Sequence, residues 1–121
     1  MSEAGAGAGI DEVGGRLRAA LVGVLGTLPE PERTGEALST RYAIDGAGAR
    51  RVVRATRAET DAEVLARAPG IKALRKLAQS AGDEELASVT EAFDALIRAH
   101  GKSKAELTRV IREARDAKRD S

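Results

Sequence analysis

Cysteine is absent and histidine occurs once. The first absence excludes disulfide scaffolds, thiolate zinc sites and cysteine nucleophiles. Together they leave no ligand set for a transition metal. There is no tryptophan, and one phenylalanine with one tyrosine puts the aromatics at 2%. Stacking of single-stranded bases on aromatic platforms is therefore not expected. Residues that favour strands are too few for a β-rich fold. No run of about 18 apolar residues occurs, which excludes a membrane-spanning helix. The N-terminus carries no basic-then-apolar signal pattern, so the expected compartment is the cytoplasm. An excess of one charge is lacking too. Twenty Lys and Arg against 19 Asp and Glu leave a formal +1, a sum that names no partner.

What remains is small, charged and helix-forming. The 121 residues suffice for one domain with one core. They include 24 alanines and 25 large apolar residues, about a fifth of the chain and near the lower edge for a folded domain. Arginine outnumbers lysine 15 to 5. The composition predicts an all-α fold: a compact bundle of six or seven short helices, without a β-wing, whose alanine-rich core lets the helices approach closely.

Residues 1–10 form a low-complexity stretch expected to be a disordered tail. The domain is expected over 11–118. Its first helix starts near Asp11, with Leu17, Leu21, Val24 or Leu25, and Leu28 on one face. Gly14, Gly15, Gly23 and Gly26 each weaken it by about 1 kcal/mol relative to Ala. Pro29 ends it. Short helices are expected over 34–42 and 46–57. Thr60 and Glu63 have capping-box spacing and open another that reaches Arg67. Residues 71–81 follow, with Ile71, Leu74, Leu77 and Ala78 inward and Gly82 as the stop. The clearest helical stripe runs from Asp83 to His100 through Leu86, Val89, Phe93, Leu96 and Ile97. A second capping box, Ser103 to Glu106, opens a last helix with Leu107, Val110, Ile111 and Ala114 inward. The chain is expected to fray from Arg115, and 119–121 to form a loose end.

Residues 33–57 stand apart. They hold six arginines against Glu36 and Asp45, a local charge of +4. They also hold two short helices joined by the turn Ala43-Ile44-Asp45. Leu38, Tyr42, Ile44, Ala49 and Val52 occupy the apolar positions of a helix-turn-helix, with small residues at Ser39 and Ala43. On a wheel of 100° per residue, Ala49, Val52, Val53 and Thr56 fall to one side. Ala47, Arg50, Arg51, Arg54 and Arg57 fall to the other, which has no acidic residue. Such a face suits a major groove, where Arg meets phosphate oxygens or a guanine edge. Asp45 can cap the helix start, and Arg33 and Arg41 can add phosphate contacts. Gly46, Ala47 and Gly48 offer almost no side chain where such units touch bases. Because arginine is common throughout the chain, the same face also fits a merely solvated surface.

Residues 38–54, with the Ile44-Asp45 turn, then Ala68-Pro69-Gly70 with Ile71, Leu74 and Leu77, then the helix ending in His100 and the capped final helix, resemble the N-terminal part of a group of uncharacterised bacterial helix-turn-helix regulators. The likeness spans 15 to about 118. It implies double-stranded DNA as partner and transcriptional regulation as role. In that group the element matching 46–57 is bulkier, and the chains continue into a larger C-terminal domain whose sensing role is not carried over here.

Other constellations read as structural. Asp83-Glu84-Glu85 suits a helix start through the macrodipole. His100 lies at a helix end, where a cation is favoured. Ser39 and Thr40 lack a nearby base, and neither glycine-rich stretch is followed by the Lys-Ser/Thr of a phosphate loop. No catalytic residue, cofactor, metal or small-molecule ligand is expected. DNA binding would run through Arg33, Arg41, Ala47, Arg50, Arg51, Arg54 and Arg57, with a homodimer as the expected form, because one small module rarely gives enough specificity. The alternative is a non-enzymatic interaction module, adaptor-like or antitoxin-like, that uses the helices of 83–118.

Overall fold

Local signals start and stop the helices close to where their spacing predicts. The computed structural model describes residues 6–28, 35–42, 44–101 and 103–119. Among them lie seven helices and no strand. They are α1 (Ala6–Leu25), α2 (Gly35–Tyr42), α3 (Gly46–Thr56), α4 (Asp61–Arg67), α5 (Ile71–Ala81), α6 (Glu84–His100) and α7 (Lys104–Arg119). Side-chain oxygens satisfy the exposed first-turn amides. Asp45 accepts from the Gly48 amide at 3.1 Å, and Thr60 from Glu63 at 3.2 Å. Asp83 accepts from Leu86 at 2.9 Å, and Ser103 from Glu106 at 3.3 Å. Gly82 ends α5 at φ 64°, in the left-handed region that a glycine enters without strain.

The ends of the chain differ from expectation. Helix α1 begins at Ala6, so the expected tail over 1–10 and domain start at 11 are corrected; residues 1–5 lie outside the described residues. The reason is packing: Ile10 and Val13 are buried, and core contact holds the first turns despite their glycines. Helix α7 continues through Arg119, past the expected fraying point at Arg115. Its last turns are rich in good helix formers, and Arg115 is tied to Asp116 and Glu63. Residues 120 and 121 lie outside the described residues.

One core is shared by all seven helices. Leu17, Leu21, Leu38, Leu65, Leu74, Leu77, Leu86 and Phe93 are fully buried. Helix α1 packs on α3, α4 and α6, α5 lies on α6, and α7 closes over α4 and α6. The inward stripe of α7 is narrower than its spacing predicts. Leu107 and Ile111 are buried, but Val110 is only half-buried and Ala114 is exposed. Leu96 and Ile71 likewise sit at the edge of the core.

The glycines of α1 do two different jobs. At Gly14 the helix crosses α4 so closely that a β-carbon would overlap the Asp61 carbonyl, with the carbonyl carbon at 2.6 Å. Gly23 faces open space. Gly23→Ala is therefore expected to gain helix propensity alone. A melting temperature higher by about 2–5 °C in thermal denaturation would accord with roughly 0.5–1 kcal/mol of added stability.

Candidate nucleic-acid interface

Helices α2 and α3 pack against one another across a tight turn. Three contacts fix it. Ser39 donates its hydroxyl hydrogen bond to the Ile44 carbonyl. Asp45 caps α3. Gly35 lies against the backbone of Arg50, where a β-carbon would come within 3.1 Å of the amide nitrogen. The close approach the structure shows is thus at Gly35, while the expected small residue Ser39 bonds across the turn to Ile44. Ala43 of the turn lies outside the described residues. Tyr42 closes the far end of α2, its hydroxyl 2.6 Å from that of Thr27 at the end of α1.

Helix α3 buries Gly48, Ala49, Val52 and Ala55. Gly48 and Ala55 extend the inner face beyond the wheel reading, while Val53 and Thr56 are half-buried. Gly48 is small for a reason: its Cα faces the Asp45 carboxylate and Ala73 of α5. The outer face carries Ala47, Arg50, Arg51, Arg54 and Arg57, all exposed, as is Arg41 at the end of α2. Six of the seven sequence-predicted residues therefore lie exposed on this unit, and Arg33 lies outside the described residues. The near-bare first turn of α3 is partly covered by Arg50. Its Nη1 lies 3.5 Å from a β-carbon built on Gly46, in van der Waals contact with that position. Helical side chains lean toward the N-terminus, so an arginine can serve the turn before its own.

The charge partners of the arginines separate this face from the rest of the surface. Arg16 reaches Glu85 at 3.3 Å. Arg75 and Arg98 reach Asp94 at 3.3 and 2.7 Å, and Arg75 also reaches Glu91 at 2.8 Å. Arg18 faces Asp61 at 3.6 Å. Arg67, Arg112 and Arg115 surround Glu63 at 3.5, 3.6 and 3.4 Å. Arg41, Arg50, Arg51, Arg54 and Arg57 have no carboxylate partner among the described residues; of the other arginines whose side chains are described, Arg109 shares that state. Arg41 instead lies over the Tyr42 ring, 5.9 Å from its centroid.

The remaining candidates fall into structural places. Glu63 is 8% exposed, and its carboxylate turns to three arginines of α4 and α7. Sequence spacing had marked it only as a capping-box glutamate. Asp83 caps α6, and Glu85 pairs with Arg16. His100 is half-buried at the end of α6, with its Nε2 out of reach of any hydrogen-bond partner among the described residues. The apolar stripe of α6, Leu86, Val89, Phe93 and Ile97, is buried within the fold. Among the described residues no group of acidic and histidine side chains could hold a metal ion, and no helix is long and apolar enough to cross a membrane.

Comparisons with protein-family models, with curated proteins and with solved structures find no match for this chain.

Proposed function

We propose that this chain is a DNA-binding transcriptional regulator that acts as a helix-turn-helix, with α3 laid in the major groove. Arg50, Arg51 and Arg54 meet base edges and the groove walls, Ala47 lets the helix start come close, and Arg41, Arg57 and Arg33 hold phosphates. Regulation is by occupancy of a promoter site, as a homodimer, since two half-sites give the specificity one module lacks. One observation carries the reading. The arginines of α2 and α3 lack the carboxylate partners that most other arginines of the described surface have. A solvated face in a chain with 19 acidic residues has carboxylates to interleave, as the faces of α5 and α6 do. A face left cationic is one that a polyanion neutralises.

The test is fluorescence anisotropy of the purified chain with a random-sequence duplex pool at low and near-physiological salt. Binding that weakens steeply as salt rises is expected, because each neutralised phosphate releases counterions. Absence of binding at low salt would sink the reading. Its rival, protein contact through α6 and α7, has less to offer, because the apolar stripe of α6 is already spent inside the fold.

A further inference from the structure

Beside the arginine face of α3 lies a second feature that spacing in the sequence does not reveal. The outer side of α3, the end of α4 and the start of α7 border a half-open cleft of about 620 Å³. Five cations line it: Arg51 and Arg54 from α3, Arg67 from α4, and Lys104 and Arg112 from α7. Among the described residues no carboxylate lines it; its other walls are alanines and Thr108. Glu63, which touches Arg67 and Arg112, opens onto a neighbouring cleft instead. Lys104 is half-buried, and its Nζ donates to the Ala66 carbonyl at the end of α4 at 3.2 Å. Burial, then the charges of Arg51 and Arg112, push the Lys104 ammonium below the usual lysine range. Arg51, Arg54 and Lys104 have no carboxylate partner among the described residues, and converging cations cost free energy unless an anion lies between them.

We infer that this cleft grips a phosphate of the DNA backbone beside the groove that α3 enters, with Lys104 and Arg112 as the new contacts. The inference rests on the proposed function and adds a partner surface to it. Three points fix the ligand class. Arginine forks match phosphate oxygens in pairs, and lysine adds a point charge. Arg51 and Arg54 belong both to the cleft and to the groove-facing side, so one duplex can touch both. The cleft is half open to solvent, so a phosphodiester passing along the surface can enter it without leaving the duplex. A bound phosphate also returns Lys104 toward its ordinary proton affinity.

The experiment has two arms. The first measures duplex affinity against salt for the wild type, for Lys104→Gln/Arg112→Gln, and for Arg75→Gln/Arg98→Gln, which removes the same charge from α5 and α6. The slope of log K against log salt is expected to fall by about 1 in the first variant, the loss of one phosphate contact, and to stay unchanged in the second. All three should keep their melting temperatures within a few degrees. The second arm follows backbone amide resonances of the wild type and the cleft variant with inorganic phosphate alone. Shifts confined to 51–54, the end of α4 and 104–112, absent in the variant, support a phosphate site. If the wild type binds duplex but the cleft variant keeps its slope, or the α5 and α6 variant loses as much, the cleft assignment is overturned and the groove reading stands. If the wild type binds no duplex yet phosphate shifts the cleft, the cleft holds a free anion and the groove reading falls. If neither ligand is bound, both fall.

Discussion

Replacing Arg50 and Arg54 together by alanine is expected to weaken duplex binding by at least about thirtyfold, since a good arginine contact to a base contributes roughly 1–3 kcal/mol of discrimination. The two stand four residues apart on one stripe of α3, and both are exposed. Neither is tied to a carboxylate among the described residues, so removing them leaves no buried partner unpaired. Alanine is the better helix former, so α3 should persist and the circular dichroism spectrum should match the wild type. Stability should move by no more than about 0.5 kcal/mol, as for surface changes away from special contacts. The loss should also change character. Residues that read bases relax sequence preference when removed, whereas residues that hold phosphates weaken all sequences alike. Selection from a random pool should therefore give a flatter site preference for Arg50→Ala/Arg54→Ala, and an unchanged preference for Lys104→Gln/Arg112→Gln. Equal affinity and equal preference in the arginine variant would place α3 outside the groove.

The second large effect is expected at Gly14. Gly14→Ala should lower stability by about 3 kcal/mol or more, in a domain whose whole margin is about 5–15 kcal/mol. The obstacle is the carbonyl of Asp61, which is backbone and cannot swing aside. Either α1 lifts from α4 or the first turn of α4 moves; the first separates the most extensive helix contact in the fold. The fall in melting temperature should exceed about 10 °C. Helix propensity works the other way, and Gly23→Ala isolates its size on the same helix. Opposite signs from the same substitution nine positions apart would assign the cost to the crossing. A Gly14→Ala variant that melts within 2 °C of the wild type, about what surface substitutions produce, would contradict that close approach.

These two sites mark what could be read in the chain and what could not. Caps are local. Thr60, Asp83, Ser103 and Gly82 act on groups within a few residues, so the spacing located α4, α5, α6 and α7 closely. The two faces of α3 were legible for the same reason, because a helix wheel needs no partner. Crossings are not local. Gly14 read as a weak point in a helix because nothing in its neighbourhood names Asp61 as the residue that will press on it. The start of α1 was missed likewise: alternating Ala and Gly look unstructured until Ile10 and Val13 are known to be buried. The cleft was beyond reach of the sequence, since Arg51, Arg67 and Lys104 converge only once α3, α4 and α7 have packed. Glu63 was read as half of a capping box. Its amide does bond to Thr60, but its carboxylate went to the arginines instead.

The uneven pairing of the arginines has a kinetic side. The chain carries a net +1, and seven arginines outside α2 and α3 are paired with carboxylates in place. From a distance such a body is nearly neutral, with its excess charge gathered on one flank. A polyanion therefore exerts little pull on it and mainly a torque, which turns that flank forward. At physiological salt the torque acts only within about 8 Å. Salt should then change the lifetime of a complex more than the frequency of encounters, unlike a uniformly basic protein, whose whole surface is drawn in from afar.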